Sequence, residues 1–421
     1  MENSTQALTP SNTRIRLISG ALMIAVGLIM LLLFGRNLEA GQQATFGLTP
    51  AIGSQAIPIP DLTLPVGPAI YALAIVTVFF GAWEMARGIK SKGWLLGIIA
   101  FCFVAAFLIW ATRGKSFSLI GVLSSSLVRA TPIALAALCG VISERAAVIN
   151  IAIEGIMLIS AQAAVIIATV THNLYLGLLA AILAGALVAA AHAFLVIRFK
   201  VDQIVSGVAI NIFATGATSF ISSRFLERST DMLNNSGTFP IISIPLLSKI
   251  PILGPIFFEN GIIVYLTLLL VAVLHILLFY TPWGLRTRAV GEHPKAADTL
   301  GINVFFNRYV NVILGGVIAG IGGAYFTIGS VGRFDEVMTA GKGFIGLAAM
   351  IFGKWNPIGA FSSSLIFGFA DSLQVKLQIL RVPIPSEFLL MAPYIVTMIV
   401  LSGVVGRALP PAADGQPYEK A

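Results

Sequence analysis

Few residues in this chain can do chemistry, and those that can are set in apolar surroundings. Asn150 and Glu154 stand four positions apart, so a helix there carries an amide and a carboxylate on one face. Gln203, Ser206 and Asn211 make a second polar cluster at the head of another apolar run. Asp371 and Gln374, at i and i+3, make a third. Amide and ionisable groups are costly inside a long apolar helix, where they face one another or a polar path. On the path reading, Asn150, Glu154, Ser206, Asn211, Asp371 and Gln374 line a route for an uncharged, hydroxyl-rich solute. Two structural alternatives stand beside it. A carboxylate in the first turns of a helix is favoured by the macrodipole, which would account for Glu154, and polar groups also hold helices together. His192 and His275 fit bonding between helices better than a proton relay. Cys102 and Cys139 lie in apolar runs, without the spacing of a disulfide framework or a metal site. No His-rich or paired-carboxylate constellation is present. No catalytic residue, metal ligand or bound cofactor is therefore expected, and the chain is not expected to be an enzyme.

The elements that must position these groups follow from composition. Of 421 residues, 57% are hydrophobic and 10% are charged, against about 25% charged in soluble proteins. Mean hydropathy is +0.94. A soluble enzyme, a nucleic-acid binder and a disordered scaffold are excluded. Twelve apolar runs can be marked, near 17–34, 69–86, 94–111, 119–138, 151–171, 175–197, 204–222, 261–280, 309–329, 342–353, 358–379 and 387–405. Each is read as a helix, because a lone strand cannot satisfy its backbone in lipid and no barrel alternation is present. The first run is too long for a signal peptide's apolar region and is read as retained. The expected fold is thus all-α and polytopic, with about twelve transmembrane helices. Two of them are irregular. The 119–138 run contains Arg129 and Thr131–Pro132, and the 342–353 run is too short to span unaided. Such broken or short segments, one in each half, point to a substrate path, with a neighbour-supported proline kink as the alternative for Pro132.

The net charge of +8 comes from 26 basic against 18 acidic residues. The basic residues sit mostly in short loops, where they mark the side facing the anionic inner leaflet and call for lipid rather than nucleic acid as partner. Arg14 and Arg16, the 87–93 loop, the 198–203 loop and the 281–308 loop then lie inside, with both termini. The 35–68 and 224–260 segments lie outside. Arg113 and Lys115 fall outside against the rule. Gly316 and Gly320 form a G-x-x-x-G, and Ala181 with Gly185 repeats the small-x-x-x-small theme, a packing signal.

The 281–302 loop has Pro294 at a first helical position and Gly301 just past Leu300, the asymmetry of a short capped helix suited to docking on a partner. No G-x-x-x-x-G-K-[S/T] occurs, because Gly341-Lys342 is followed by Gly343. Any ATP that drives the chain is bound by another subunit.

At this loop the chain becomes recognisable. The stretch from Gly284 to Asn303 resembles the coupling loop of bacterial ATP-binding-cassette importer permeases, in the group handling ribose-type sugars, branched-chain amino acids and nucleosides. Arg145 to Gly155 resembles that group's R-x-G-x-x-N-I-G-x-E-G signature, with Ala147 and Ala152 in place of two glycines. Gly341 to Gly359 is similar to the version found in nucleoside permeases. The resemblance covers about 94–405, giving a ten-helix permease domain. Residues 1–93, with two further helices, would be an N-terminal extension, and 406–421 a cytoplasmic tail. It implies a permease subunit for nucleosides in the bacterial cytoplasmic membrane, with a second related permease subunit or a copy of itself. It also implies an extracellular or lipid-anchored solute-binding protein, and a cytoplasmic subunit carrying ATP and Mg. The coupling residues would be Arg286, Arg288, Gly291, Glu292, His293, Pro294, Asp298 and Gly301. A permease for ribose or another simple sugar is the near alternative, and a secondary transporter or channel the alternative of another class. The scarcity of intramembrane carboxylates with basic partners argues against the latter.

Overall fold

The computed structural model describes residues 10–36, 38–39, 41–48, 54–88, 92–391 and 408–420. Among them, ten helices are long and apolar enough to cross a membrane. The run expected at 387–405 lies outside the described residues from 392 onward, as does Lys90 of the 87–93 loop. The chain divides into two compact units, 1–51 with 58–121 and 375–389, and 52–57 with 122–374 and 390–421.

In the first unit, α1 (Pro10–Phe34), α2 (Val66–Arg87) and α3 (Lys92–Ala111) pack on one another. Phe34 anchors the α1–α3 contact, its ring 5.6 Å from those of Phe103 and Trp110. A small sheet, not foreseen from the sequence, ties the connecting segments together. In it β1 (Gln43–Gly47) runs antiparallel to β2 (Leu62–Pro65) and parallel to β3 (Ser116–Ser118). Pairing of this kind satisfies backbone groups that no helix covers.

The second unit holds α4 (Leu119–Glu144), α5 (Ile153–Thr171), α6 (Leu174–Ala193) and α7 (Gln203–Ile221). Next come the short α8 (Thr230–Leu233) and α9 (Leu253–Phe257), with a hairpin of β4 (Ile241–Ser243) and β5 (Glu259–Gly261). Then follow α10 (Ile262–Tyr280), α11 (Pro282–Glu292), α12 (Pro294–Thr299) and α13 (Val304–Phe326). After them come α14 (Lys342–Phe352) and α15 (Pro357–Ile379). The short α16 (Ser386–Leu390) is the last helix among the described residues, and its residues 386–389 belong to the first unit.

Several starts are written locally. Asn173, Asp202 and Asn303 each accept a backbone N–H at the first turn of α6, α7 and α13. The α13 helix packs on α5 and α6. There the two small-residue motifs meet: a Cβ on Gly316 would lie 2.5 Å from the Gly185 carbonyl oxygen, and one on Gly320 would lie 2.5 Å from that of Ala181. Only glycine permits that approach.

The expected break in 119–138 is absent: α4 is continuous through Pro132. Pro132 has no N–H to give the Val128 carbonyl, and the Thr131 hydroxyl donates to the neighbouring Leu127 carbonyl at 3.0 Å. Tight packing helps, since α4 is the most buried of the spans. The 342–353 run does form a short helix, α14, which is too short to cross. The irregularity lies elsewhere. It consists of π-helical turns ending α6, α7 and α13 and the non-helical 148–150 stretch between α4 and α5.

Candidate functional site

Three ionisable side chains from three helices meet in the second unit. Asp371 of α15 accepts from the Arg129 guanidinium of α4 at 3.2 Å and from the Lys342 ammonium at the start of α14 at 3.0 Å, both at Oδ2. Asp371 and Lys342 are mostly buried and Arg129 is more open. The cluster lines a cavity of about 350 Å³ with Ser124, Ser125 and Tyr325. A second cavity of about 370 Å³ shares Ser124, Tyr325 and Ser330 with it and extends to Thr238 and Asn260. Both sit at the lower end of the ~300–1,000 Å³ typical of small-molecule sites. One carboxylate between two cations leaves the inner cavity with an excess positive charge, while hydroxyls supply the neutral hydrogen-bonding surface.

Of the sequence candidates, Asp371 is in this site and Gln374 is buried one turn farther along α15. Sequence reasoning missed Asp371's partners, and the expected scarcity of paired intramembrane carboxylates is corrected by them. The signal was available. Arg129 and Lys342 are the charges inside the two runs already marked as irregular.

Glu154 stands at the first turn of α5, and the structure gives it a second helix to cap. Its Oε1 accepts from the Thr339 hydroxyl at 2.6 Å and from Gly341 N–H at 2.8 Å, and its Oε2 accepts from Gly343 N–H at 2.7 Å. The positive ends of α5 and α14 thus converge on one carboxylate. Gly343 must be glycine here, since a Cβ would lie 2.8 Å from both the backbone N and the Cα of Glu154. Lys342 lies between the two clamped amides, so Glu154 sets the turn from which Lys342 reaches Asp371.

The remaining candidates gather around the 145–155 segment. Asn211 accepts from Gly155 N–H at 2.8 Å and donates to the Ile151 carbonyl at 2.9 Å. Gln203 accepts from Ile149 N–H, and His192 bridges the Ser206 hydroxyl and the Ile149 carbonyl at 3.0 Å each. Asn150 is fully buried, its amide against the Cys139 sulfur at 3.6 Å. Neither cavity is lined by Asn150, Glu154, Ser206 or Asn211. Glu154 and Asn211 bond irregular backbone, Ser206 bonds the His192 ring, and Asn150 Oδ1 is buried with no hydrogen-bond partner among the described residues.

The 281–302 loop forms α11 and α12. Thr281 caps the first, and the second begins at Pro294 with His293 Nδ1 accepting from Ala296 N–H at 3.1 Å. Gly301, at φ +80°, closes α12 with Gly301 N–H to the Asp298 carbonyl and Ile302 N–H to that of Ala297. Arg286 is exposed, and Arg288 lies over the Phe279 ring at 5.1 Å. Leu285 and Leu300 project outward, the latter 82% exposed. The chain's end, 408–420, is laid against this element. Ala413 N–H donates to the Gly291 carbonyl, Ala412 N–H donates to Glu292, and Tyr418 is buried against Val290, Ala297 and Val304. Burial pushes the Asp414 carboxyl up to about 6, opposed in part by its hydrogen bond with Glu144 and by the Arg308 charge.

A profile of the family described as "Branched-chain amino acid transport system / permease component" matches residues 122–406. The chain is 44% identical over 316 residues to the guanosine ABC transporter permease protein NupQ of Bacillus subtilis, covering 71% of this chain and 96% of that protein. It is 42% identical over 310 residues to the nucleoside ABC transporter permease protein NupC of Lactococcus lactis, again covering 71% and 96%. No solved structure matches it.

Proposed function

The chain belongs to the branched-chain amino acid transport permease family, and from that premise we propose that it is the membrane-spanning permease subunit of an ATP-driven nucleoside importer. It is a multi-pass membrane protein and a transport component rather than an enzyme. The observation that carries the substrate is the likeness over 96% of the lengths of a guanosine and a nucleoside permease. The two adjoining cavities support it. Their serines, Thr238, Asn260 and Tyr325 offer donors and acceptors to ribose hydroxyls and base amides, beside the charged Arg129, Lys342 and Asp371 of the inner cavity and Glu259 of the other. The solute passes from the Asn260 side toward Asp371, and exchange of the Arg129–Asp371–Lys342 contacts for contacts with the solute opens the inner end. Weak, multiple contacts of this kind let a delivered molecule move on.

In this reading α11 and α12 seat in a groove of a cytoplasmic ATP-binding subunit that holds ATP and Mg. Leu285 and Leu300 are its apolar contacts, and Arg286, Arg288, Glu292 and His293 lie at its rim. That places both termini in the cytoplasm. A related permease subunit or a second copy completes the channel, and an extracellular solute-binding protein delivers the nucleoside. Residues 94–405 are the transporting domain and 1–93 an addition to it. The test is to purify the chain with the products of neighbouring genes and reconstitute the assembly. ATP-dependent uptake of labelled guanosine, competed by other nucleosides and not by ribose, is the expected result. Uptake of ribose without guanosine would establish the sugar reading, and uptake driven by an ion gradient without ATP would establish a secondary transporter.

A further inference from the structure

Where α6 ends, a third recess of about 500 Å³ opens, apart from the two cavities already described. Arg198, Lys200 and Lys420 line it with Tyr309 and Phe305, and Glu419 is the one carboxylate among its lining residues. Glu419 is bonded to Lys200, and Lys420 stands 4.0 Å from Asp298. Arg198 has no ion pair or hydrogen bond among the described residues. The recess therefore carries an uncompensated guanidinium and a net excess of positive charge.

What surrounds it narrows the ligand. The π-helical turn Phe194–Arg198 delivers Arg198, and the exposed rings of Phe194 and Phe199 pack edge to face at 5.1 Å beside it. Val201, Ile204 and Val205 continue the exposed apolar surface. A soluble anion has no use for such a collar, whereas acyl chains do. A basic recess between helix ends with an apolar skirt is the arrangement that holds anionic lipid headgroups.

We propose that this recess is a binding site for the phosphate headgroup of an anionic phospholipid. Arg198 and Lys420 bind the phosphate, the Tyr309 hydroxyl hydrogen-bonds it, and the acyl chains lie along Phe194 and Phe199. The site is part-built by the chain's end, so an occupying lipid also holds the 408–420 segment against α12 and α13.

The test is lipid retention by the full-length chain in detergent, read by native mass spectrometry with dioleoyl phosphatidylglycerol, dioleoyl phosphatidylcholine or inorganic phosphate added. Preferential retention of phosphatidylglycerol is expected. The double variant Arg198→Gln with Lys420→Gln should weaken it roughly 25-fold, about fivefold for each cation lost, while phosphatidylcholine retention stays unchanged. Arg198→Lys should keep most of the affinity. Equal retention of the two lipids, or unchanged phosphatidylglycerol retention in the double variant, would overturn the site. Displacement of the lipid by an equal concentration of inorganic phosphate would overturn the lipid assignment.

Discussion

Replacing Glu154 by glutamine tests whether one carboxylate sets the geometry of the charge cluster. The carboxylate takes three hydrogen bonds, two on Oε1 and one on Oε2. Glutamine has one acceptor oxygen. Placed at the Oε1 position it keeps Thr339 and Gly341, and it then turns its NH2 toward the Gly343 N–H. One buried donor is orphaned against another, which costs about 1–3 kcal/mol. Loss of the charge between two helix N-termini adds roughly 0.3–1 kcal/mol for each. Alanine strands both amides, for a cost of about 2–6 kcal/mol. Because the residue caps α14 rather than lining a cavity, the first effect is local. Amide exchange at Gly343 in Glu154→Gln should accelerate roughly 5- to 150-fold, while α13 keeps its protection. Guanosine uptake per folded molecule should fall with it, since Lys342 directly precedes the loosened amide. Unchanged exchange at Gly343 would refute the clamp. Faster exchange with undiminished uptake would break the link from Glu154 through Lys342 to transport.

Asp371→Asn should lower uptake at least tenfold while the protein still assembles, because two cations lose their shared carboxylate; uptake and size-exclusion profiles together check this. Gly316→Ala should lower the melting temperature in detergent, since its Cβ would lie 2.3 Å from that of Ala189 and 2.5 Å from the Gly185 carbonyl oxygen, an overpacking of about 1–3 kcal/mol. Docking of the 408–420 segment should weaken as pH rises through about 6. Burial raises the Asp414 carboxyl in the docked state, so its contribution is fully present below the ordinary carboxylate range and is lost as pH passes the raised value. Proteolysis of the segment between pH 5 and 8 reads this, and Asp414→Asn should flatten the profile.

Much of this protein is decided by runs of neighbouring residues. The apolar runs alone determined that the chain lives in a bilayer as helices, because hydrocarbon leaves the backbone no other way to satisfy itself. Local chemistry likewise fixed α12, where Pro294 and Gly301 act within one turn of where they stand. The small-residue motifs announced close helix contacts, but not that Gly316 and Gly320 would meet Ala181 and Gly185. The charge cluster was half legible. Asp371 stood out as costly in an apolar run, yet its partner Arg129 lies 242 residues away in the chain, and only folding brings them together. Glu154, Asn211 and Gln203 were visible as polar residues whose purpose could not be read. Their partners are largely backbone groups of the 149–155 and 341–343 stretches. Every residue carries a backbone carbonyl and all but proline an N–H, so no side-chain pattern marks which of them are left unpaired. That is settled only where helices stop, and the stops at α5 and α14 are products of the tertiary fold.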